Sequence, residues 1–230
     1  MTAIDVGQGD SILLASPSGR TLLVDAGGLP RWIHSELEIG GDVVSPNPWS
    51  RSISQLDALA ITHTHADHMG GAAAILANFR PRELWLGDLS DPEMAPLLRQ
   101  AAELGVHVVH HQAGDSFDFG GAQVRVLAPD GGDTAGHRND ESLVMKFVYR
   151  KTSTLLEGDA ERRSEQRFSE EQPQADLLKV AHHGSATFTI PQLLAAVHPH
   201  FALISVGARN TYGHARGDVL ARLAAAHVLT

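Results

Sequence analysis

The stretch THTHADHMGG, residues 62–71, gathers His63, His65, Asp67 and His68 within six positions and then closes on two glycines. The apolar run LDALAITH (56–63) delivers it at the end of a predicted strand. In extended chain, residues two apart point the same way, so His63 and His65 can grip one cation through their imidazole nitrogens. The helical pattern GAAAILANF (71–79) follows, and at the turn into it Asp67 and His68 face a second position beside the first. Zinc takes imidazole and carboxylate ligands, and two metals about 3.5–4 Å apart can share a bridging oxygen. Asp159, at the end of the run STLLEGD (153–159), is the natural carboxylate to bridge them. The bland alternative is a loop in a chain that has 14 histidines among 230 residues. The HxHxDH spacing is too specific for that alternative, whereas Asp159 or the pair His182–His183 alone would carry little.

Outward from this stretch the chain alternates short apolar runs with loops of Gly, His, Asp or Asn and with helical segments, which reads as α/β. Ten runs are predicted strands: 11–16, 21–28, 56–63, 83–88, 106–111, 122–129, 142–149, 153–159, 176–183 and 201–207. Helical patterns cover 71–79, 92–105, 161–171, 191–197 and 217–226. So many strands exceed one small sheet, and helices spread among them favour two sheets face to face with helices outside. A single domain over 1–230 is expected, since the chain is 43% hydrophobic and long enough for a full core. Polar residues cluster where strands end: His63, Asp159, His182–His183, then Arg209, Asn210 and His214. Ligand sites of α/β sheets form at such rims, so one site is implied. Residues 30–52 lack periodicity, and long ordered loops often cover a site. Trp32 and Trp49 there either stack on a substrate ring or pin the loop to the core.

Composition narrows the chemistry. There is no cysteine, which excludes disulfides, thiolate metal sites and thiol nucleophiles together. The net charge of −9 argues against a broad basic surface for nucleic acid, so a polyanion would have to be met locally. No apolar run is long enough to cross a membrane. A strand at the very start and a helical run near the end suggest a piece of something longer.

Several further motifs complete a family pattern: DVGQGDS (5–11), LLVDAGG (22–28), NDESLV (139–144), LLEGDAE (155–161), LLKVAHHGS (177–185) and ISVGARNTYGH (204–214). With THTHADHMGG, they resemble the metallo-β-lactamase superfamily, and within it the C-terminal domain of the ComEC family of competence DNA-uptake proteins. The resemblance implies an αβ/βα four-layer sandwich of two mostly antiparallel or mixed sheets. It implies two divalent metal ions, zinc or manganese, on His63, His65, Asp67, His68 and Asp159, with His182 or His183 as the last ligand. His183 is preferred because it directly precedes Gly184, which leaves His182 to touch substrate. The family's NDxS position is occupied by Asn139 and Asp140, with His137 just upstream. Asn139, one of these neighbours or water is expected to complete the first site. Glu157 stands where the family often has Thr. Asp10 and Asp25 either orient ligands or cap turns.

The activity so implied is that of a nuclease, a dinuclear-metal phosphodiesterase that degrades one DNA strand, single- or double-stranded DNA being the partner, during uptake of the other through the parent protein's channel. The parent is expected in the inner membrane with this domain on the external or periplasmic side. Asp67 is expected to orient the attacking water, with Ser185 and Asn210 on phosphate oxygens and His214 protonating the leaving oxygen. The rival readings are hydrolysis of a small ester, lactone or phosphocholine substrate, and DNA binding without catalysis.

Overall fold

Runs such as TLLV and ALAI lack the polar alternation of a strand with one wet face, which predicts burial on both sides. In the computed structural model, which describes residues 1–30, 32–33, 35–87, 91–130 and 142–230, both are strands buried at every residue. The chain divides into two compact units, Met1–His111 and Gln112–Thr230.

The first unit holds a six-stranded sheet in the order β1 (Thr2–Ala3), β2 (Ile12–Ala15), β3 (Thr21–Val24), β4 (Ala58–Ile61), β5 (Glu83–Leu86) and β6 (His107–His110). Strands β1 to β3 pair antiparallel, and β3 to β6 run parallel. Parallel neighbours require long crossovers. These carry α1 (Pro46–Ser50), α2 (Ala66–Met69), α3 (Ala72–Phe79) and α4 (Ala95–Glu103). Leu23, Leu59 and Leu84 of the sheet share one core with Ile75, Leu76 and Phe79 of α3 and Leu97 of α4. Within region 30–52, residues 39–44 and 46–50 are helical, although their sequence shows no helical period. Glu38 accepts from the amides of Gly40 and Gly41 at the start of a π-helical segment, Ile39–Val44, and α1 follows directly. Trp49 of α1 lays its ring 5.4 Å from that of Phe79 while remaining 48% exposed, and Trp32 is 74% exposed.

The two glycines that end the opening motif are explained by close backbone approach. A Cβ on Gly71 would stand 2.3 Å from Ala26 O and 2.7 Å from Gly40 Cα, and one on Gly70 would stand 2.9 Å from Gly28 Cα. Only residues without side chains let the α2–α3 junction rest on the 26–28 segment.

The second unit holds another six-stranded sheet, β12-β11-β10-β9-β8-β7 in spatial order. Its strands are β7 (Ser116–Phe119), β8 (Ala122–Ala128), β9 (Val144–Tyr149), β10 (Thr152–Leu156), β11 (Leu177–Lys179) and β12 (Phe201–Leu203). The start of β8, AQVRV, alternates buried and exposed as a half-wet strand should. β7 was not among the predicted strands, because SFDF alternates polar and apolar residues over only four positions and offers no apolar run. Helices α5 (Arg162–Ser169), α6 (Pro191–Val197) and α7 (Gly217–Ala225) contribute Phe168, Leu193, Val219 and Leu223 to a core with Leu155 and Leu178. Since β10, β11 and β12 are parallel, the loops that follow them leave the sheet at the same end.

Beneath those loops the core is charged. Glu157, Glu165 and Lys179 are all at most 1% exposed. Burial pushes the Glu165 carboxyl up to about 7, against the pull of the Ile190 and Thr189 amides that donate to it at 2.9 and 2.6 Å. Burial also pushes Glu157 well above its ordinary value, as does the charge of Glu165, while Lys179 opposes the rise.

Candidate functional site

The end of β4 runs through Thr62 into a cluster of imidazoles. The ring centroid of His63 lies 4.8 Å from that of His65 and 4.2 Å from that of His68. His65 is still extended, at φ −63° and ψ 146°, and stands immediately before α2, whose first turn carries Asp67 and His68. His63 is 4% exposed and His68 fully buried, while His65 and Asp67 are half-buried.

One carboxylate orders this cluster. Asp25 accepts from the Thr62 amide and the Thr62 hydroxyl, both at 2.8 Å, and its Oδ2 lies 2.8 Å from His68 Nδ1. With its hydrogen committed to Asp25, the Thr62 oxygen is the acceptor for His63 Nδ1 at 3.0 Å. Both rings therefore carry their proton on Nδ1 and present Nε2 as a lone-pair donor, the tautomer a metal ligand needs. Asp25 itself sits in the left-handed region at φ 59°, a conformation that a non-glycine residue keeps only where its surroundings impose it. Asp10 lies on the other side, its Oδ2 3.7 Å from His68 Nδ1 and its amide donating to Asp67 O. Of the two roles open to Asp25 from sequence, orienting a histidine is the one its contacts serve. Thr62 is a member of this arrangement that motif reading passed over, although it directly precedes the first histidine.

In the second unit the loops after β10, β11 and β12 bring together Asp159, His182, His183, Asn210 and His214. Asp159 is 1% exposed, and its amide donates to Ser142 Oγ at 3.2 Å. His182 Nε2 stands 3.8 Å from Asp159 Oδ2. His183 is 1% exposed with Nδ1 at 2.9 Å from Ser205 O, which again fixes the proton on Nδ1 and turns Nε2 outward as a ligand atom. His182 is the more open of the pair. Its ring meets Phe188 edge-on at 4.5 Å and His214 at 5.9 Å. His182, His183 and Gly184 have φ of 48°, 55° and 80°, three left-handed residues in succession. Left-handed backbone costs a non-glycine residue roughly 1–2 kcal/mol, so the sharp turn that aims both imidazoles is held against local preference.

Ser185 follows, half-buried, with its amide donating to His182 O. Asn210 spends its amide within its own loop: Nδ2 donates to Gly207 O at 2.8 Å and His214 O at 2.6 Å, and Oδ1 accepts from His214 N at 2.9 Å. Both of its donor hydrogens are thereby engaged, so its place is to hold His214 rather than to reach a phosphate. Burial, with the nearby His183 and Arg216, lowers the His214 pKa, and Asp159 works the other way. Asn139, with His137 and Asp140, lies outside the described residues.

Among the described residues, the side chains able to hold a metal ion include Asp10, His63, His65, Asp67 and His68 in the first unit, and Asp159 and His183 in the second. The family model of the metallo-beta-lactamase superfamily matches residues 4–208. The chain belongs to the metallo-β-lactamase superfamily. Members of this superfamily are generally metal-dependent hydrolases, and the donor set here fits that chemistry in both units. The chain is 34% identical over 229 residues to ComE operon protein 3 of Bacillus subtilis, covering 94% of this chain and 29% of that protein. It is 32% identical over 222 residues to Recombination protein 2 of Haemophilus influenzae, covering 96% of this chain and 26% of that one. Both are of the ComEC competence type, so the resemblance carried by the motifs holds over most of the chain. The chain spans between a quarter and a third of the length of these relatives. Among solved structures, the metallo-beta-lactamase fold protein YhfI of Bacillus subtilis matches with a TM-score of 0.57 at 13% identity, covering 95% of this chain and 91% of that one. That likeness is one of fold, and it agrees with the α/β class and two helix-flanked mixed sheets read from the sequence. No described helix is long and apolar enough to cross a membrane.

Proposed function

We propose that this chain is the nuclease portion of a longer competence protein, a dinuclear-metal phosphodiesterase that cleaves DNA as the other strand is taken up. In this reading His63, His65, Asp67, His68, Asp159 and His183 hold two divalent ions, zinc or manganese, with Asn139 as a further candidate ligand. The observation that carries it is the shared tautomer. His63, His68 and His183 each have Nδ1 engaged by an oxygen, so each offers Nε2 as a ligand atom. Bound divalent ions supply Lewis acidity toward a phosphoryl oxygen and a water acidic enough to attack near neutral pH.

The chain's own residues do the rest. Asp67 orients the attacking water by accepting its hydrogen. His182, open to solvent beside Asp159, donates to a phosphate oxygen, as does Ser185. His214 hydrogen-bonds the leaving oxygen, with Asn210 fixing its place, and burial favours its neutral form. Local cations in a pocket attract phosphate although the protein is acidic overall. The parent protein is a membrane protein in this reading, with this portion on its external or periplasmic side and the strand-conducting channel as its partner.

The test is digestion of end-labelled single- and double-stranded DNA under zinc, manganese and magnesium, with the metal content of the purified protein measured in parallel. Asp159→Asn should abolish cleavage without loss of secondary structure. Full activity in that variant, or turnover of small esters but of no nucleic acid, would overturn the assignment.

A further inference from the structure

We infer that Tyr212 is a stacking platform for an unpaired nucleobase, which makes single-stranded nucleic acid the preferred substrate of the proposed site. The inference rests on the nuclease reading for its biological sense, but its geometry is independent of the metal. Tyr212 and His214 stack with ring centroids 5.7 Å apart and an interplanar angle of 26°, so one face of the tyrosine is backed by an imidazole. The ring is nevertheless 49% exposed. A tyrosine placed only for packing buries its ring and leaves its hydroxyl wet, whereas this residue stays exposed beyond its stack on His214.

Behind it the rings form a file leading inward. His214 meets His182 at 5.9 Å, and His182 stands 3.8 Å from the Asp159 carboxylate. The file is held by backbone and amide contacts rather than by Tyr212 itself: Asn210 clamps His214 on both sides, and the Arg216 amide donates to Gly184 O at 2.9 Å. Two exposed guanidinium groups, Arg209 and Arg216, flank the ring in sequence and supply local positive charge to an acidic protein. An aromatic ring on which a base can stack and positive charge near it are the elements of a single-strand contact. A base inside a duplex has both faces covered by its neighbours, so only an unpaired or frayed nucleotide can lie on Tyr212.

The experiment uses metal-free protein and a short single-stranded DNA carrying 2-aminopurine, the same strand with an abasic site in its place, and the corresponding duplex. Binding of the base-bearing strand should quench 2-aminopurine fluorescence and should exceed binding of the abasic strand by roughly 5- to 150-fold, the range for one base on one aromatic ring. Tyr212→Ala should bind both strands alike without quenching, and Tyr212→Trp should restore the difference. Equal affinity of wild type and Tyr212→Ala for the base-bearing strand would overturn the inference, as would a wild type that binds duplex better than single strand or binds no oligonucleotide. Base-dependent binding with no cleavage under any metal would leave the platform standing and remove the nuclease reading instead.

Discussion

Asp25 Oδ2 lies 2.8 Å from His68 Nδ1 and at the same distance from the Thr62 hydroxyl, whose oxygen in turn accepts a hydrogen bond from His63 Nδ1. A single buried carboxylate thus sets the tautomer and orientation of two histidines. Asp25→Asn keeps the shape but can satisfy this pattern at only one oxygen. Metal affinity, measured by competition with a chromophoric chelator, should fall about 10- to 100-fold, the usual cost of removing the partner of a ligand histidine. Unchanged affinity would show that the two rings are oriented without it.

Gly71→Ala should be strongly destabilising. The added methyl would stand 2.3 Å from Ala26 O, where the obstacle is backbone and cannot rotate aside. A loss on the order of 1–3 kcal/mol is expected, read as a drop in the thermal midpoint of unfolding. Gly105→Ala is the control for steric crowding, since nothing stands within 4 Å of its added carbon; its φ of +71° leaves only a backbone cost.

Glu165 gives a pH dependence with a definite sign. Its carboxyl is pushed up to about 7 in the folded protein against an ordinary value of 4.5. Between those two pH values the folded state keeps a proton that the unfolded chain has released. Its contribution to stability is therefore fully present below about pH 4.5 and is lost as pH rises through 7. The ceiling on the change is about 3 kcal/mol. Denaturant unfolding of metal-free protein between pH 5 and 8 should show the decline, and Glu165→Gln should flatten it whatever its absolute stability. An identical slope in both proteins would assign the dependence elsewhere.

Lys179 and Glu157 are both buried in the core beneath the loops that follow β10 and β11, and the Lys179 cation opposes the rise of the Glu157 pKa. Lys179→Met removes that cation and should be destabilising, read as a drop in the thermal midpoint of unfolding. The double substitution with Glu157→Gln should recover much of the loss in a double-mutant cycle, and simple additivity would show that the two side chains do not interact.

The sequence was most informative where its period was long or its chemistry dense. Each of the ten apolar runs contains a strand, and GAAAILANF became α3 nearly residue for residue. SFDF escaped because its alternation of polar and apolar residues spans only four positions and contains no apolar run. The helical turns between 39 and 50 escaped because a π-helical segment follows no 3.6-residue rule and its cap, Glu38, lies just ahead of two glycines. At the candidate site the imidazoles announced themselves by spacing. The role of Asn210 did not, since an asparagine that clamps its own loop looks the same in sequence as one that reaches a ligand. The preference for His183 over His182 rests in sequence on family resemblance alone; the physical distinction, burial of the second ring and its bond to Ser205 O, is a fact of tertiary structure.

The succession of left-handed residues at 182 to 184 has an outcome for anyone engineering this scaffold. Glycine would relax the backbone at either histidine, so a campaign guided by thermal tolerance alone would be drawn to the two positions on which the proposed chemistry depends. Hardened variants recovered that way should be screened for turnover before they are kept.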